Sequence, residues 1–176
     1  MTDDKQRVAY HEAAHAVVAL LERVKVYSAT IVPSDEAEGV TRHHNLLYGR
    51  GVEWDASHPN RIRMERLVRM ALAGPVADEL RGVQDERTVI GPTDDEHCAA
   101  ELVGYFTGNT EETEAYLKLL WIQTRALLKR DPIWSQVTAV AEALLAHKTL
   151  SAKEIRGIAR SVLMARLEAG TQWLVE

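Results

Sequence analysis

Two histidines four residues apart, His11 and His15, flank Glu12 in the run AYHEAAHAVVALL. On an α-helix, positions i and i+4 share a face, so both imidazoles can reach one cation while the carboxylate lies beside it. A catalytic zinc ion takes three protein ligands and keeps a fourth position for water, whose pKa falls to about 7. Glu12 is placed to take that water's proton as it attacks a carbonyl and to pass it to the leaving amine. An HExxH pattern arises by chance in on the order of one chain of this length in two hundred. Its setting argues against chance, because His15 sits among apolar residues, where an unpaired polar group is costly. The competing reading is a core histidine bonded to the backbone.

The surrounding elements must hold these groups. Thr2 or Asp3 can cap a first helix running to about Val24, apolar on nearly every side and therefore buried. KVYSATIVP, closed by Pro33, and GVT at Gly39 to Thr41 read as a small hairpin next to the HExxH helix. Thr41 to His58 reads as a loop, and Pro59 opens a second helix that Gly74-Pro75 kinks or divides. Thr93 and Glu96 form a capping box for a third helix with Asp95 in its first turn. Three further helices cover 111–130, 132–147 and, capped by Ser151 with Glu154, the chain to about Gly170. The fold class is mainly α with a small β element, one domain over residues 1–176.

Two carboxylates compete for the third ligand position. Glu79 on the second helix has the length to reach a neighbouring helix, either to the metal or to a histidine that binds it. Asp95 is short but sits on a capped, rigid helix end whose dipole favours its ionised form. Other residues have quieter readings. His43 and His44 are loop histidines able to extend the site or touch substrate, and His97 points to another side of its helix. Cys98 reads as a small core residue. Trp121 and Trp134 pack the core, Trp54 is placed to line a substrate groove, and the strand Ala29 to Val32 is a candidate for pairing with an extended peptide.

Composition narrows the classes. With 176 residues, 46% of them hydrophobic and a net charge of −5, the chain can bury a core and has no basic run suited to nucleic acid or a membrane surface. Its longest apolar stretch, Ala13 to Leu21, is far short of a membrane span, and the acidic start MTDDK lacks the order of a signal peptide. One cysteine permits no internal disulfide, which suits a cytoplasmic location. None of the ten glycines precedes a lysine, so the phosphate loop GxxxxGK[ST] is missing and no ATP binding is expected.

The chain also resembles the proteolytic domain of FtsH-type ATP-dependent zinc proteases. AYHEAAHA at Ala9 to Ala16 is similar to that family's AYHEAGHA, and TIVPSDEAEGVT at Thr30 to Thr41 to its TIIPRG…LGVT. GPVADEL at Gly74 to Leu80 resembles GRAAEEL, IGPTDD at Ile90 to Asp95 resembles TGASND, and AEALLAHKTLSAKEI at Ala141 to Ile155 resembles AEALLEKETL…EI. The resemblance implies a mainly helical zinc peptidase in which His11, His15 and Asp95 bind zinc and Glu12 is the general base. It also implies polypeptide substrates, with a separate unfoldase as a possible partner. The chain departs from the family pattern at Ala14, Pro75, Ile90, Pro92 and Asp94. Two functions follow as expectations, a zinc-dependent endopeptidase or a silent, peptidase-derived zinc-binding regulatory domain.

Overall fold

The structure, a computed structural model, describes residues 2–35, 37–46, 58–83 and 93–172. Among these are seven helices and three short strands. Helix α1 (Thr2–Leu21) is the centre of the molecule. Ala9, Ala13, Ala14, Ala16, Val17, Val18 and Ala19 are all fully enclosed. Small side chains on so many sides let neighbouring elements approach from several directions, and α1 packs most extensively against α6 (Asp131–His147) and α3 (Ala73–Leu80). Ala14, where the resembled pattern has glycine, is accommodated within this packing.

Helix α1 stops at Leu21, short of the expected Val24. Arg23 takes a left-handed conformation with φ 56°, and Val24 N–H bonds back to the Ala19 carbonyl at 2.8 Å. That turn closes the helix and sends buried Val24 into the core. From helix α2 (His58–Ala71), Arg66 donates to the half-buried Glu22 carbonyl and Arg69 pairs with the Glu22 carboxylate at 2.5 Å.

The expected hairpin is part of a three-stranded antiparallel sheet in the order β2-β1-β3. Strand β1 (Val26–Thr30) is central, flanked by β2 (Val40–His43) and by β3 (Thr149–Ser151), with Ala29 opposite both Thr41 and Leu150. The third strand was not expected, because three residues carry no alternation pattern to read. Along β2, Thr41 and His43 are half-buried while Val40 and Arg42 are exposed, as alternation requires.

The second helical segment divides at Leu72, two residues before the expected Gly74-Pro75 break. Pro75 then falls in the first turn of α3, where an N–H has no partner within the helix and its loss costs little. Helix α4 (Asp94–Gly104) begins at the capping box read from the sequence. Glu96 N–H donates to Thr93 Oγ1, and Thr93 N–H donates to the Glu96 carboxylate. Helices α5 (Thr110–Leu128), α6 and α7 (Ala152–Gln172) complete the fold close to their expected limits. Among the described residues no helix is long and apolar enough to cross a membrane.

Candidate metal centre

His11 and His15 lie one turn apart in the buried middle of α1, their rings 4.7 Å apart and edge to face. Each ring is oriented through its Nδ1. His15 Nδ1–H donates to the Met70 carbonyl on α2 at 2.7 Å, and His11 Nδ1–H donates to Asp78 on α3 at 2.8 Å. A carbonyl only accepts, so His15 carries a proton on Nδ1, which leaves Nε2 as the ring atom that could reach a cation. The same division holds at His11, and such partners are the usual supports of metal-binding histidines.

The two Nε2 atoms converge on Asp95. Its Oδ2 is 3.0 Å from His11 Nε2 and 3.3 Å from His15 Nε2. The donor atoms of His11, His15 and Asp95 all lie within 4.8 Å of one another, a spacing that can hold a metal ion. Gly74 gives a second, independent sign of the same fit. A Cβ built on it would stand 2.4 Å from both Nε2 atoms, so only a residue without a side chain leaves room in front of the two imidazoles. Two imidazole nitrogens and one carboxylate oxygen are also a donor set suited to zinc.

Electrostatics tie the three together. Burial would lower the pKa of His11, but hydrogen bonds and charge from Asp78 and Asp95 outweigh it and raise it to about 10. His15 is raised in the same way, its burial outweighed by Asp95. Burial would raise Asp95, yet the two imidazoles hold its carboxyl well below the usual carboxylate range.

Glu12 is 6% exposed and faces the same cleft. Thr41 Oγ1–H on β2 donates to Glu12 Oε2 at 2.7 Å. The cleft has a volume of about 660 Å³. Its walls are β2 with the preceding turn and one face of α4, including Asp94, Cys98 and Tyr105, over an apolar floor of Leu67, Met70 and Ala71.

Several expectations change here. Glu79 turns away from the histidines, accepting from Trp121 Nε1 at 2.8 Å and pairing with Arg125 at 2.9 Å. Its neighbour Asp78 meets His11 instead, and the sequence contains no local cue for choosing between them. Cys98 is an exposed residue lining the cleft rather than a core residue, because positions 94, 98, 101 and 105 share the cleft-facing side of α4. Strand β1 cannot take an added peptide strand, since both its edges are paired, whereas β2 has a second edge that pairs with no strand among the described residues. His43 lines the cleft, and His44 lies 3.3 Å from the Tyr27 hydroxyl. His97 is exposed. Trp121 and Trp134 pack against the core, and Trp54 lies outside the described residues.

The fold and this cluster define an HExxH helix whose histidines meet an aspartate from a capped helix start. Relationship to known proteins supplies the rest. The chain is 30% identical to "ATP-dependent zinc metalloprotease FtsH 1" of Sorangium cellulosum, the match covering 96% of this chain and 32% of that protein. It is 28% identical to "ATP-dependent zinc metalloprotease FtsH 1" of Alkaliphilus metalliredigens, over 88% of this chain and 29% of the relative. It is also 28% identical to "ATP-dependent zinc metalloprotease FTSH 11, chloroplastic/mitochondrial" of Arabidopsis thaliana, over 89% and 21%. The chain is thus similar over most of its length to FtsH-type ATP-dependent zinc metalloproteases, and it spans about a third or less of the length of the curated relatives it matches. No family model matches it.

Proposed function

We propose that this chain is a zinc-dependent endopeptidase domain acting on peptides and unfolded segments of proteins. His11, His15 and Asp95 bind the metal, and Glu12 is the general base. The observation that carries this reading is the convergence of three donor atoms within 4.8 Å in front of Gly74, with Glu12 in the same cleft. Bound zinc would lower the pKa of a water and polarise the scissile carbonyl. Asp78 and the Met70 carbonyl orient the two imidazoles, and Glu12 accepts the water's proton and returns it to the leaving nitrogen. A peptide extended along the edge of β2 that no strand pairs among the described residues would lie across the cleft with its main chain hydrogen-bonded, which favours broad sequence tolerance. We further propose a cytoplasmic location, and substrate delivery by a separate unfoldase as the route to folded proteins.

The alternative is a regulatory domain that keeps zinc and cuts nothing. Glu12 favours the peptidase, because a purely structural site has no use for a carboxylate beside an open ligand position. Metal analysis and casein or peptide cleavage decide between them. Wild-type protein should bind one zinc and hydrolyse flexible substrates without ATP. Glu12→Gln should keep its zinc and lose at least ~100-fold in rate. Asp95→Ala should lose most of its zinc. A zinc-loaded wild type with no hydrolysis would favour the regulatory domain, and equal rates for wild type and Glu12→Gln would remove Glu12 from the mechanism.

A further inference from the structure

We propose that Thr41 is a positioning residue for the Glu12 carboxylate, so that the strand offered to a peptide and the base offered to its water are held in one register. The inference rests on the peptidase reading above. Glu12 belongs to α1 and Thr41 to β2, and their contact is the point where the base meets the edge strand. The Thr41 hydroxyl is 2.7 Å from Glu12 Oε2 and 3.0 Å from the Glu12 main-chain carbonyl. It has one proton to give, and the shorter distance assigns it to the carboxylate.

Gly39 holds the same carboxylate from its other side. A Cβ built there would stand 2.9 Å from Glu12 Cγ, 3.0 Å from Glu12 Oε1 and 2.7 Å from Val8 Cγ1. The main chain just before the strand thus lies close enough against the glutamate to restrict its rotamers, and the hydroxyl two residues on selects among those that remain. One carboxylate oxygen is committed to Thr41, and the other, which no residue hydrogen-bonds among the described residues, is the one offered to the water. Alternation along β2 turns Thr41 inward, leaving the main-chain edge of the strand for a peptide. A peptide docked on that edge is thereby registered against Glu12 by a single side chain.

Removing the hydroxyl should leave substrate docking and zinc in place while letting Glu12 drift out of line, an effect on turnover rather than on binding. Valine keeps the β-branched shape that suits a strand, and serine keeps the donor. In zinc-loaded protein assayed with a quenched fluorescent peptide, Thr41→Val should lower kcat ~10-fold with KM within ~2-fold, and Thr41→Ser should stay within ~3-fold of wild type. In a Glu12→Gln background, Thr41→Val should cost less than a further ~2-fold, because its effect passes through Glu12. Equal losses in both backgrounds, a change confined to KM, or no change would overturn the proposal.

Wild type, Glu12→Gln, Thr41→Val and the double variant are then titrated with a peptide hydroxamate, which needs no turnover. Coupled losses of ~10-fold for Glu12→Gln and Thr41→Val, no larger in the double variant, support the positioning role, and additive losses overturn it. Should the wild type bind zinc and the hydroxamate yet cut nothing, the peptidase reading fails while this second cycle still decides the placement of Glu12 by Thr41.

Discussion

Asp78 Oδ2 lies 2.8 Å from His11 Nδ1, while the adjacent Glu79 carboxylate is turned to Arg125 and Trp121. Two neighbouring acids on one helix therefore have separate roles. Asp78→Asn keeps the shape but weakens the acceptor that orients His11. It should reduce zinc affinity about 10-fold to 100-fold, read by competition with a chromogenic chelator. Glu79→Ala should leave that affinity unchanged within ~2-fold. The reverse ranking would show that Glu79, not Asp78, serves the metal.

Gly74 is expected to be intolerant of any side chain. A methyl there would sit 2.4 Å from both Nε2 atoms, inside the space that a ligand to them requires. Alanine is the better helix former, so Gly74→Ala should fold, with far-ultraviolet circular dichroism like that of the wild type, and bind little or no zinc. Full zinc occupancy in a folded Gly74→Ala protein would mean that the histidines bind metal from another direction.

Acidity should act in opposite senses on the chelator-treated and the zinc-loaded protein. His11 is raised from about 6.5 to about 10. Its imidazolium therefore stabilises the chelator-treated fold fully below about pH 6.5, and that contribution is lost as pH rises through 10. Zinc must displace the same proton, so its affinity should rise with pH. Thermal unfolding between pH 6 and 8.5 checks both. The midpoint of the chelator-treated protein should fall relative to Asp78→Asn, while the increment added by zinc should grow. A zinc increment independent of pH would count against His11 as a ligand.

What could be read from the sequence was local, and what could not was relational. His11, Glu12 and His15 share a turn and a half of one helix, so their common face follows from spacing alone. The cap at Thr93 and Glu96 is equally local, spanning four residues. Asp78 and Glu79 cannot be told apart in this way, because which one faces α1 depends on the phase of α3 after the break at Leu72. Gly74 looked like a helix breaker, and its closeness to two imidazoles depends on how α3 packs against α1. Strand β3 pairs Thr149 with Thr30, far back in the chain, and a three-residue strand has too short a pattern to announce itself. Cys98 was misplaced for the same reason, since the side of α4 that faces the cleft is set by tertiary packing.

The reciprocal bonds between Thr93 and Glu96 bear on how this architecture can vary. They make the opening turn of α4 a self-contained cartridge, in which the local conformation of Asp95 is fixed by the residues beside it while the packing of α4 aims it at α1. A designer seeking a different metal preference can accordingly exchange the four residues Thr93 to Glu96 as one block, leaving α1 and its two histidines untouched.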